Sequence, residues 1–329
     1  MHKLPDTAHC RTTLADGSIA TVTATRRPRA GRADVKCSPA QVAERMQQVV
    51  RLARHTEPRV DSRDQVVISI DRAPGRDERD WELAVVLADR MVRAVWQGAG
   101  QVHANGWSDQ WELGRIGGHD SAAAGAIVGG PTGLAHLGAL SGQPDCGASV
   151  SAARAWFPLH SGGINDCLCR VEVSVYPLSG AAGEEEDSIA TPGLDLAAQL
   201  AVRQVLAGAR HFDGRGLGRW RTVVRFAQPR FQGNSFELAL VMADRMARGR
   251  EFVPRGRVIA SGSSGAWHAG QVDAVEGCAP KCALIEREAV SGDRILLPKA
   301  WEASAAPEFA GALHERGASV AWIDRIGII

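Results

Sequence analysis

The sequence is short of net charge, export signal and long apolar runs, and each shortage excludes something. Lysine plus arginine number 38 against 37 aspartates and glutamates, a net charge of +1. That balance provides no overall field for gripping a phosphate backbone, so nucleic acid is not an expected partner. Met1-His2-Lys3-Leu4-Pro5-Asp6 leads into no apolar segment, so no signal peptide is expected. The longest stretch without Lys, Arg, Asp or Glu, Ser121 to Pro144, is rich in Gly and Ala and too weakly apolar to span a membrane. Seven cysteines, an odd number in 329 residues, fit free thiols in a reducing compartment, and a cytoplasmic protein is expected. Neither His-x-x-x-His nor Gly-x-x-x-x-Gly-Lys-Ser/Thr occurs, which leaves no fused ATPase module of the P-loop type.

What is present is ordinary globular composition, 45% apolar and 23% charged, enough for real cores and for about two domains. It also contains an internal repeat. Glu82-Leu-Ala-Val-Val-Leu-Ala-Asp-Arg-Met91 matches Glu237-Leu-Ala-Leu-Val-Met-Ala-Asp-Arg-Met246 at eight of ten positions. Gly100, Val102, Ala104, Gly106, Ser108, Trp111 and Gly114 recur as Gly256, Val258, Ala260, Gly262, Ser264, Trp267 and Gly270. Ala53-Arg54-His55 echoes Ala209-Arg210-His211, and Val66-Val67 echoes Val223-Val224. A register this steady is the mark of tandem duplication.

Each half reads as mixed α/β. In the second, Arg170–Val175 and Thr222–Phe226 predict strands, and Leu194–Ala209 carries apolar residues at helical spacing. Ser235–Met246 predicts a helix with Ser235 as its N-cap. Gly256–Ile259 and Gly270–Val272 look like strands around a Gly/Ser turn. A helix over Pro280–Val290, the strand Ile295–Leu297, a helix over Pro307–Arg316 and the strand Ser319–Ile323 complete the half. The first half follows the same order to Ile116, and the turn-rich Leu159–Asn165 places the boundary between domains 1–160 and 161–329.

Ser235 lies in Gln232-Gly-Asn-Ser-Phe236, where a chain leaving a strand opens a helix. Free backbone N–H groups at such a turn can hold an oxyanion, although a serine there is more often a plain cap. Lys281, in Gly277-Cys-Ala-Pro-Lys-Cys282, has apolar neighbours, and a desolvated lysine can take a proton from a serine hydroxyl. A solvated lysine at a helix end is the commoner case.

Together these residues resemble the proteolytic domain of the Lon family of serine peptidases. The matching features come in order: Gly233-Asn-Ser235, Glu237-Leu-Ala-Leu240, Ser261-Gly262, Gly270-Gln-Val272, Glu276-Gly-Cys-Ala-Pro-Lys281 and Asp293-Arg-Ile-Leu-Leu-Pro-Lys299. They cover roughly residues 165–329. The resemblance implies two α/β units of the ribosomal-protein-S5-domain-2-like type, with Ser235 as nucleophile and Lys281 as general base. It makes Gly233, Asn234 and Ser261 supporting residues, with Ser261 at the position of a threonine that hydrogen-bonds the lysine. It implies a protein or peptide substrate, no cofactor, and either a homo-oligomer or a separate ATPase partner.

The sequence departs from the family at the family's Pro-Ser-Ala-Gly, here Asn234-Ser-Phe-Glu237, which would place two larger residues near the cleft. Arg225 and Ala227 stand where the family carries histidines. The first half lacks the dyad: Asp80 aligns with Ser235, Asn105 with Ser261 and, loosely, Gly125 with Lys281. No lysine occurs between Lys36 and Lys281. A non-catalytic interaction or adaptor module is therefore the alternative expectation.

Other candidates rank lower. Cys167, Cys169, Cys278 and Cys282 could supply four thiolates, but their spacing is unusual for zinc and core cysteines are common. Cys146, His160 and Asp166 have the residue types of a thiol triad without supporting context. Glu184–Asp187 reads as a solvated loop, and Trp107, Trp111 and Trp267 as packing residues.

Overall fold

The computed structural model describes residues 5–27, 34–57, 64–143, 145, 150–160, 166–177, 189–214, 220–249, 251 and 254–328. The chain divides into two compact units, Met1–Ser149 and Val150–Ile329.

In the first unit β1 (Thr7–Thr13), β2 (Ile19–Arg27), β3 (Asp34–Ser38), α1 (Ala40–Arg54), β4 (Gln65–Ile70), α2 (Trp81–Val92), β5 (Val102–Asn105) and β6 (Ile127–Val128) follow in sequence. The strands form one mixed sheet in the order β3-β4-β2-β1-β5-β6. Ala8 and Cys10 of β1 and Ala20, Val22 and Ala24 of β2 are buried, the alternation expected of strands with one face on a core. Helix α2 is buried on nearly every side, as its continuous apolar run requires.

In the second unit β7 (Ser151–Leu159), β8 (Cys167–Pro177), β9 (Ile189–Ala190), α3 (Leu196–Asp213), β10 (Trp220–Phe226), α4 (Glu237–Ala247) and β11 (Val258–Ala260) repeat that succession. Then come α5 (Cys278–Glu288), β12 (Arg294–Pro298), α6 (Phe309–Glu315) and β13 (Ser319–Ile323). The sheet order is β9-β10-β8-β7-β11-β12-β13, which is the order of the first sheet with one strand added at the end. Pair directions also match: β7–β8 and β8–β10 are antiparallel, as β1–β2 and β2–β4 are, and β7–β11 is parallel, as β1–β5 is.

The two units share a polar scaffold as well. Arg54 and Arg93 donate to buried Asp89, and Arg210 and Arg248 donate in the same way to buried Asp244. The Nε1 of Trp111 donates to Glu82, and that of Trp267 to Glu237. The matched residues thus include those that brace helix to helix and helix to turn within each unit.

Three expectations need correction. The second unit begins before 161, because Ser151–Leu159 pairs along its whole length with β8 and belongs to that sheet. Helix α4 starts at Glu237 with Phe236 as a helical-conformation cap, so Ser235 caps nothing. Gly270–Val272 is not a strand but follows a short 3-10 turn, Trp267–Ala269, tied by bridges from Ser263 to Asp273 and from Gln271 to Arg325. Glu184–Asp187 falls outside the described residues. Among the described residues no helix is long and apolar enough to cross a membrane.

Candidate active site

The turn before α4 is set by Gly233, whose φ of +83° lies in the left-handed region that favours glycine. Phe236 anchors the other side, packed against Phe157, Phe226 and Phe231 at ring separations of 5.0–6.3 Å. Glu237 turns away to accept from Trp267 Nε1 at 2.8 Å and from the Ser264 amide at 3.1 Å. The two large residues that replace small ones in the family pattern therefore brace the turn and do not line the cleft. Between Gly233 and Phe236, Ser235 is held by its carbonyl, which accepts from the Gly262 amide at 3.4 Å. Among the described residues the N–H groups of Ser235 and Phe236 make no hydrogen bond.

Helix α5 brings in the lysine. Gly277, φ +78°, is its N-cap, and Lys281 donates its amide to the Gly277 carbonyl at 3.1 Å. The Lys281 side chain folds back over Gly277 and donates from Nζ to the Glu276 carbonyl oxygen at 2.8 Å. Lys281 is only 8% exposed. Burial pushes its ammonium below the ordinary lysine range, partly opposed by the Glu276 carboxylate.

Both turns open on one cavity of about 550 Å³. Gln232, Gly233, Asn234 and Ser235 form one wall, Ala274–Gly277 and Lys281 another, and Leu159 and His160 at the end of β7 a third. Four of the five residues predicted from the sequence, Gly233, Asn234, Ser235 and Lys281, thus line a single space. Ser261 does not line it: its hydroxyl is buried without a hydrogen-bond partner among the described residues. The lysine that Ser261 is expected to fix is held instead by the Glu276 carbonyl.

His160 was legible only as part of a thiol triad with Cys146 and Asp166, and Cys146 lies outside the described residues. The structure pairs His160 with Asp166, Nδ1 to Oδ2 at 2.7 Å, across the end of the β7–β8 hairpin just beyond the Leu159–Cys167 pair. Of the other cysteines, Cys282 is pushed up to about 12, by burial first and then by the neighbouring Cys278 thiol. No group of three or more His, Cys, Asp or Glu residues is placed to hold a metal ion among the described residues.

The equivalent place in the first unit is filled. Asp80, at the Ser235 position, accepts from the Asp120 amide at 2.9 Å, the Ser121 amide at 2.6 Å and the Ser121 hydroxyl at 2.6 Å. Asn105, at the Ser261 position, bonds the Thr13 backbone in both directions. Among the described residues no α-helix lies between β5 and β6, so the element corresponding to α5 is missing there.

Comparison with protein-family models finds no match to this chain, and comparison with curated proteins finds no significant one.

Proposed function

We propose that the second unit is a serine peptidase working through Ser235 and Lys281. The observation that carries this reading is the shared cavity: the serine sits on a turn with two uncommitted amides, facing a space also lined by a buried lysine. A neutral lysine has a lone pair, and donation of one N–H to the Glu276 carbonyl leaves that pair available.

In the proposed reaction Ser235 Oγ attacks the peptide carbonyl as Lys281 Nζ takes its proton. The Ser235 and Phe236 amides receive the developing oxyanion, the role such paired donors serve in acyl transfer. Lys281 then returns the proton to the departing amine as the C–N bond breaks, leaving an ester on Ser235 that water hydrolyses.

Cleavage of an unfolded model protein at mildly alkaline pH, without nucleotide, tests this. Wild type is expected to cut, and Ser235→Ala and Lys281→Ala are each expected to abolish cutting to the same low level, since the two groups act as a unit. Activity surviving in either variant rejects the dyad.

A second reading, a non-catalytic interaction module, draws support from the first unit. There the same scaffold is kept while the nucleophile position is a carboxylate tied down by three hydrogen bonds. Binding to a partner protein undiminished in Ser235→Ala, with no cutting by wild type, would favour it.

A further inference from the structure

Besides Glu276, whose carbonyl holds the lysine, the cavity is lined by a histidine that the dyad does not use. His160 lines the same space as Ser235 and Lys281, and its Nδ1 is bound to Asp166. An ionised carboxylate only accepts, so Nδ1 carries the proton and Nε2 is the basic nitrogen. Among the described residues Nε2 has no hydrogen-bond partner. The pair is built into the fold: continuing the antiparallel register past Leu159–Cys167 brings residue 160 opposite 166. Their exposures also differ from that of the lysine. Lys281 is buried, whereas the His160 side chain is 29% exposed.

We propose that His160, oriented by Asp166, is the proton acceptor for the second half of the reaction, hydrolysis of the ester on Ser235. This rests on Ser235 being the nucleophile. As the water oxygen bonds to the ester carbonyl carbon, His160 Nε2 takes one proton from that water. The imidazolium, stabilised by Asp166, then gives the proton to Ser235 Oγ as the carbon–oxygen bond breaks, releasing the acid and the free serine. Lys281, hemmed in by the turn at Gly277, serves the first half, in which the proton comes from Ser235 itself. Dividing the two halves between two bases accounts for an oriented histidine in a pocket that already holds a lysine.

The test uses the full chain and p-nitrophenyl acetate, a small activated ester, with acylation read as the nitrophenolate burst and hydrolysis as the steady-state rate. His160→Ala is expected to keep a burst of one equivalent on Ser235, located by mass spectrometry, while the steady-state rate falls about a hundredfold. Added imidazole is expected to restore turnover in that variant, a rescue that a purely structural role would not show. Asp166→Asn is expected to slow the steady state without reducing the burst, and it guards against a folding defect in the alanine variant. A steady state equal to wild type in His160→Ala overturns the proposal while leaving Ser235 as nucleophile. Loss of the burst together with turnover in a folded His160→Ala assigns His160 to acylation and overturns it as well. No adduct on Ser235 in either wild type or His160→Ala removes both the nucleophile assignment and this inference.

Discussion

Asp80 and Ser235 occupy the same position in the two units: the carbonyl of Asp80 accepts from the Gly106 amide at 2.8 Å, and that of Ser235 from the Gly262 amide at 3.4 Å. The main chain at the turn is preserved, and the side chains have opposite fates. Ser235 faces an open cavity, whereas the Asp80 carboxylate is enclosed by the 120–121 loop. A carboxylate that accepts three hydrogen bonds has become part of the structure of its unit.

Restoring the serine there should therefore not restore chemistry. Asp80→Ser, made in a Ser235→Ala background, is expected to be inert and less stable by about 1 kcal/mol, since the part-buried Asp120 and Ser121 amides and the Ser121 hydroxyl lose a charged acceptor. Labelling with a serine-directed fluorophosphonate and urea unfolding check the two halves. Labelling of the new serine would contradict the view that the missing α5 counterpart leaves this site without a base.

Lys281 gives a pH prediction with a definite sign. Its folded-state pKa is lowered, so between that value and the ordinary lysine value of about 10.4 the unfolded chain binds more protons and stability rises with pH. Lys281→Met should therefore be more stable than wild type at pH 7, by on the order of 1 kcal/mol or about 2–4 °C in Tm, and the gain should shrink towards pH 10. The same lowered pKa places the alkaline rise of kcat/KM in wild type below that of a free lysine. A stability difference independent of pH would show that the ammonium is not desolvated.

The unpartnered Ser261 hydroxyl separates fold from function at one atom. Removing a buried polar group that has no partner among the described residues should not cost stability, and Ser261→Ala is expected to be neutral or stabilised by about 0.5–1 kcal/mol. If Lys281 turns from the Glu276 carbonyl to Ser261 during the reaction, kcat falls roughly tenfold in the same variant. Thermal unfolding and kcat measured on one preparation separate the two effects.

How much of this was legible in the sequence depended on what each residue does. The repeat was readable because its matched residues, Asp89 with Asp244, Glu82 with Glu237 and Trp111 with Trp267, are cross-braces that tolerate little change. Local turn chemistry around Gly233 and Gly277 favoured a plain cap and a solvated lysine, and Ser235 and Lys281 stood out only through the ordered resemblance to the Lon proteolytic domain. The boundary was misplaced because Ser151–Leu159 has no clean alternation; only its long pairing with β8 makes it a strand of the second sheet. His160 and Asp166 were named together only as members of a thiol triad with Cys146, and nothing in the sequence showed that the two meet. Two residues six apart meet only through hairpin register, and periodicity carries no signal for that. The Lys281–Glu276 contact was equally out of reach, since it depends on a side chain folding back over a left-handed glycine.

The buried ion network under α4 carries the last prediction. Asp244 is fully buried and accepts from Arg210 at 2.6 and 3.2 Å and from Arg248 at 2.8 Å, while Arg210 also donates to Thr222. Burial alone would raise its pKa, but the Arg210 and Arg248 guanidiniums outweigh it and hold the carboxyl below the usual range. A depressed folded pKa contributes stability that is present above the unfolded value of about 3.9 and is lost as pH falls through the folded one. Asp244→Asn keeps the shape and removes the buried charge opposite Arg210, while Arg248 keeps its pair with Asp213, so a loss of about 3 kcal/mol is expected at pH 7. Below about pH 4 the unfolded wild-type chain takes up a proton first, so the gap between the two proteins should narrow as pH falls and close only below the lowered folded value. Urea unfolding of both at pH 7 and pH 3 measures this. A gap of the same size at both pH values would mean that Asp244 acts through packing and hydrogen-bond geometry instead of charge.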